Sequence, residues 1–186
     1  MNIRIGIVAK GALAGLLAST VIALIIFIAE LIIGYPHGIF YTVVSDALSI
    51  DTMISYNSTL VGLLLHLIAG TAIGVIASVP LSSMLSLLAL NLERCMLYGT
   101  ILGIVIWITV FLPISYLLII PLLNTHEYEL LDRNGSMITS DDLKEQFNRI
   151  VYSAIGFHIQ YGIIYSIILF ILMRGIVKHR EVQDLI

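Results

Sequence analysis

Between Asp51 and Glu93 the chain runs for 41 residues without an Asp, Glu, Lys or Arg. A stretch of that length belongs in hydrocarbon rather than at a water-facing surface. A helix crossing about 30 Å of lipid needs about 20 mostly apolar residues. The stretch is therefore too long for one crossing and too short for two joined by a loop. Pro80 divides it into a span over 59–79 and a segment Leu81–Leu92, expected as a short interfacial helix or an extension after a kink.

The same criterion places three more spans, over 11–33, 96–123 and 150–173, all apolar on every face as lipid-exposed helices must be. The fold class expected is all-α, one membrane domain over 1–186 built as a bundle of four transmembrane helices. The uncharged run Gly11–Ala29 is 19 residues, longer than an ordinary signal-peptide core, so it reads as a retained first helix. Pro113 should kink the third span by removing a backbone hydrogen bond, and Pro121 marks its end.

Composition agrees: 59% of residues are hydrophobic and 11% charged, against about 45–50% and about 25% in soluble domains. Nine Lys and Arg against twelve Asp and Glu make no basic patch, which excludes a nucleic-acid partner, and the apolar excess excludes a soluble enzyme or a disordered chain. Cys95 is the only cysteine, so no internal disulfide exists, and it reads as an inert thiol packed near the inner face.

Two segments join the spans on the outer side. The loop over 34–58 is apolar and carries Tyr35, Phe40, Tyr41 and Tyr56, which suit the membrane interface. It is expected to lie on the membrane and to be partly helical. The loop over 124–149 is acidic. Its Asn134-Gly135 pair signals a turn, and Ser140-Asp141-Asp142 signals a helix start that runs directly into the fourth span. Six basic residues (Arg4, Lys10, Arg94, Arg174, Lys178, Arg180) against three in the acidic loop put both termini in the cytoplasm of a multi-pass cell-membrane protein.

Small residues recur at four-residue steps. The first and third spans open with the pairs Gly11/Gly15 and Gly99/Gly103. The second carries Gly62, His66, Gly70, Gly74 and Ser78, and the fourth Ala154, His158, Gly162 and Ser166. Residues four apart share one side of a helix, so each ladder forms a narrow face for close helix contact. The glycine pairs stand 88 residues apart and the two histidines 92, which reads as a parallel repeat of a two-helix hairpin about an axis along the membrane normal. The H-x3-G-x3-[GS] helix resembles uncharacterised small four-helix membrane proteins of prokaryotes. That resemblance covers about half the chain and implies the fold alone.

Ionisable groups within spans carry the candidate chemistry. Counting about 1.5 Å per residue, His66 lies about 10 Å and His158 about 12 Å below the outer surface, and Glu30 lies about 28 Å along the first span, at the outer boundary. Neutral imidazole suits copper or zinc, and Glu30 would complete the set or orient a histidine. The alternative is structural: each histidine bonds across a helix contact, and Glu30 reaches interfacial water. The acidic segment Asp132–Phe147 fails as a calcium loop, with Met137 where glycine is needed and Leu143 where glutamate is needed. No phosphate-binding glycine loop, zinc signature or nucleophile elbow occurs.

Three functions follow as expectations. The first is a non-catalytic accessory subunit of a larger membrane complex, such as an oxidase or monooxygenase, its partners being lipid and other membrane subunits. The second is a small homo-oligomeric transporter or channel with paired membrane histidines. The third is a metal-binding enzyme subunit using His66, His158 and Glu30.

Overall fold

The computed structural model describes residues 3–34, 37–47, 58–81, 91–121, 130–131, 137–138 and 140–183. Helix α1 (Ile3–Ile33) is followed by a short α2 (Ile39–Ala47) and by α3 (Ser58–Leu81). Next come α4 (Leu92–Ile106) and two π-helical stretches, π1 (Trp107–Phe111) and π2 (Ser115–Ile119), with a single turn α5 (Leu112–Ile114) between them. The last helix, α6 (Ser140–Gln183), is 44 residues long. Leu130–Leu131 (β1) and Met137–Ile138 (β2) form a short antiparallel ladder on either side of Asn134-Gly135, a pair that itself lies outside the described residues. The protein is an all-α bundle with four helices long and apolar enough to cross a membrane: Ile5–Ile33, Ser58–Pro80, Leu92–Ile119 and Phe147–Arg174.

Three boundaries differ from the sequence expectation. Helix α1 begins at Ile3, through Lys10, because a helix does not stop where hydrocarbon stops; the Lys10 ammonium donates to the Leu172 carbonyl at 2.5 Å. Helix α3 continues through Pro80 to Leu81, and residues 82–90 lie outside the described ones. At Pro113 the third span widens. The Leu112 N–H donates to the Trp107 carbonyl and Ile120 to Ser115, each five residues back, while the junctions keep right-handed helical dihedrals. A π turn gives the proline ring room and tolerates its missing donor. The expected α6 start at Ser140 and a helix within the loop over 34–58 (α2) are both present.

The chain divides into two compact units, each drawing on all four long helices. The first comprises Met1–Val21, Leu67–Ile104 and His158–Ile186, the second Ile22–His66 and Val105–Phe157.

In the first unit, small residues let backbones touch. A Cβ built at Gly11 would overlap Ser78 and the Gly74 carbonyl, and one at Gly15 would overlap Gly70 and Gly74. Between α4 and α6, a Cβ at Gly99 would overlap Gly162 and Ser166, and one at Gly103 would overlap the backbone of His158 and Ile159. These two contacts match position for position at a constant spacing of 88 residues: Gly70 answers to His158, Gly74 to Gly162 and Ser78 to Ser166. Even the serine bonds repeat, with Ser78 donating to Val75 O at 2.7 Å and Ser166 to Ile163 O at 2.8 Å. This corrects the pairing of His66 with His158 at 92 residues. Their spacing is one helical turn out of register, so His158 replaces a glycine and His66 answers to Ala154. The histidines also fall in different units.

Candidate functional site

Three tyrosine hydroxyls of the first unit are engaged with the chain's own backbone. The Tyr161 hydroxyl donates to the Gly70 carbonyl at 2.7 Å and Tyr165 to the Gly74 carbonyl at 3.0 Å. Their rings stack, with centroids 6.3 Å apart and planes 12° from parallel. Tyr98 donates to the Ala77 carbonyl at 2.7 Å. Ladder glycines carry no side chain to shield their carbonyls, so a neighbouring hydroxyl can reach them without breaking the helix bonds. Cys95 is buried here, as expected for a packed thiol.

The candidate site is in the second unit, where α1 hands over to α2. Gly34 and Gly38 have φ of 89° and 76°, the left-handed conformation that favours glycine, and Gly34 N–H closes α1 on the Glu30 carbonyl at 3.0 Å. Glu30 is buried, 5% exposed, in the last turn of α1. Its carboxylate accepts from Gly38 N–H at 2.6 Å and Phe40 N–H at 3.1 Å. A carboxylate is unfavourable at the negative end of its own helix. Here it sits at the positive end of the next one, satisfying amides that begin α2.

Helix α2 is seated on α3. The Tyr41 carbonyl lies where a Cβ at Gly62 would be, and the Thr42 and Thr59 hydroxyls are bonded at 2.8 Å. Gly62, read in the sequence as one rung of the α3 ladder, therefore packs against α2. The Tyr41 ring is fully buried between Phe27 (5.3 Å), Phe40 (5.3 Å) and the edge of His66 (5.5 Å). Burial, helped by the nearby Glu30 carboxylate, pushes the Tyr41 hydroxyl well above the usual phenol range, so it keeps its proton. Behind α2, Val43 joins Ile119, Phe147 and Val151 in a cluster, and the Trp107 indole donates to Val151 O at 3.1 Å.

Among the described residues no group of three or more His, Cys, Asp or Glu is placed to hold a metal ion, so His66, His158 and Glu30 do not form a common ligand set for copper or zinc. Both Glu30 oxygens accept from backbone amides. His126, Glu127 and Glu129 of the acidic loop, ligand types without a recognised metal-site spacing, lie outside the described residues. Tyr41, read from the sequence as an aromatic suited to the membrane interface, is fully buried, and sequence reasoning missed the buried Ser45 and Ser115 and the tyrosines of α6. The available signal was the four-residue step between Tyr161 and Tyr165, on the same helix as the small-residue ladder.

No protein-family model matches the chain, and comparison with curated proteins and with solved structures finds no match.

Proposed function

We propose that this chain is a non-catalytic accessory subunit of a larger membrane complex, in the cell membrane with both termini cytoplasmic. One observation carries the reading: four polar side chains of the first unit are committed to the chain's own carbonyls. Tyr98, Tyr161, Tyr165 and Lys10 all donate to backbone oxygens. Groups engaged in this way hold helices together and are poor partners for a moving solute. Only 28% of the apolar stretch of α1, α3 and α6, and 17% of that in the third span, is buried within the chain, which leaves broad apolar faces for lipid or neighbouring subunits. The six inner and three outer basic residues support the orientation.

Mild solubilisation of native membranes followed by native mass measurement tests the proposal. The chain is expected to co-migrate with other membrane proteins, and haem or copper absorbance in the same fraction would assign an oxidase or monooxygenase. Recovery only as a monomer or homo-oligomer overturns it.

The 88-residue repeat favours a second reading, a small transporter, since repeated helical units are a common transporter plan. Solute flux in liposomes containing this chain alone would favour that reading over the first.

A further inference from the structure

A polar side chain that faces lipid must satisfy itself locally or find a partner outside its own chain. Thr20 and Thr109 are exposed within their spans, and each hydroxyl donates to the carbonyl four residues back. Gln160 of α6 is exposed too, but its amide has no hydrogen bond among the described residues.

The depth of Gln160 makes that costly. It stands 13 residues after Phe147 and 14 before Arg174, the limits of the fourth span. At about 1.5 Å per residue it lies about 20 Å from either end, out of reach of interfacial water. Its direction is equally defined. Tyr161, Tyr165, Leu169 and Met173 are buried and share one side of α6. Gln160 precedes Leu169 by nine residues, which at 3.6 residues per turn sets it about 180° away. Ile171, 63% exposed, lies within about 20° of Gln160, and Ile164 and Ile167 fall on the same side. The amide therefore points outward from the bundle, into hydrocarbon, where acyl chains offer neither donor nor acceptor.

We propose that this face of α6 is a contact with a second copy of the chain, Gln160 against Gln160 about a two-fold axis along the membrane normal. Two features of the residue select that occupant. An amide is self-complementary: each carbonyl accepts from the other's NH2, as the same patch on both partners requires, and two neutral groups meet without repulsion. Copies inserted with one topology also carry Gln160 at one depth, so each supplies the polar group the other lacks at mid-membrane. Ile164, Ile167 and Ile171 supply the apolar contact toward the C-terminal end of the span. Such a pair forms whether or not other subunits join it, so the inference stands apart from the accessory-subunit reading.

The full-length chain, labelled at its C-terminus with donor or acceptor fluorophores and reconstituted into liposomes at a series of lipid-to-protein ratios, tests the contact. Energy transfer should fall on dilution as a monomer–dimer equilibrium. Gln160→Leu, a residue suited to a lipid-facing position, should weaken association by about 3- to 30-fold. Gln160→Asn keeps the amide and should retain most of the association. Absence of transfer in the wild type at every ratio, or equal association in the wild type and Gln160→Leu, overturns the proposal. In native membranes, copies carrying two different tags should be recovered together by either tag. Recovery of one tag without the other overturns the proposal, whatever other subunits are present.

Discussion

Glu30 shows how one residue is judged by its neighbours rather than by its own helix. At the end of α1 it opposes the helix dipole, and through Gly38 and Phe40 it complements that of α2. Glu30→Gln keeps the shape but turns an NH2 group toward an amide donor. It should cost about 1–3 kcal/mol, read as a lower Tm together with faster hydrogen exchange at the Gly38 and Phe40 amides; unchanged exchange would count against the clamp. Tyr165→Phe removes only the hydroxyl that reaches Gly74 O. Interhelical bonds in membranes average about 0.6 kcal/mol because the alternative state also finds partners, so the expected loss is of that order, measured by unfolding in detergent.

The decisive contacts at the scale of elements are glycine faces. At Gly74 an added methyl would meet the Gly11 carbonyl and the Gly15 backbone, and at Gly162 it would meet Gly99 and Gly103. Backbone cannot swing aside as a side chain can. Gly74→Ala and Gly162→Ala should each destabilise by about 1–3 kcal/mol. Gly156, also on α6, has nothing within 4 Å of an added Cβ. Gly156→Ala should be neutral or stabilising by about 0.5–1 kcal/mol through helix propensity. Thermal unfolding of the three variants side by side separates contact from composition, and equal effects would refute the assignment. The third span carries a second lesson. Pro113 was legible as a disturbance, but π1 and π2 on either side of it were not, since the choice between a kink and a widened turn depends on what packs alongside.

For the molecule as a whole, the 88-residue correspondence joins the α1–α3 and α4–α6 contacts into one scheme, with instructive departures. Where the first hairpin has Ile73 and Ala77, the second has Tyr161 and Tyr165. Two identical hairpins would set tyrosine against tyrosine or aliphatic against aliphatic; the unequal pair lets α6 rings reach the α3 carbonyls. Exchanging the pairs, with Ile73→Tyr and Ala77→Tyr against Tyr161→Ile and Tyr165→Ala, should retain more stability than either half alone, as tested by detergent unfolding. If the quadruple variant is no better than the halves, the two sets of positions are not interchangeable.

The number, order and approximate limits of the spans, the α6 start at Ser140 and the small-residue faces were all readable in the sequence. Each rests on apolar length or on residues a few positions apart along one helix, where geometry is known in advance. The pairing of those faces, the register that parts His158 from His66, the duty of Glu30 and the buried hydroxyls of Tyr41, Ser45 and Ser115 came only with the tertiary structure. They depend on distances between segments far apart in the chain, and a slip of one helical turn preserves every local pattern while changing every partner.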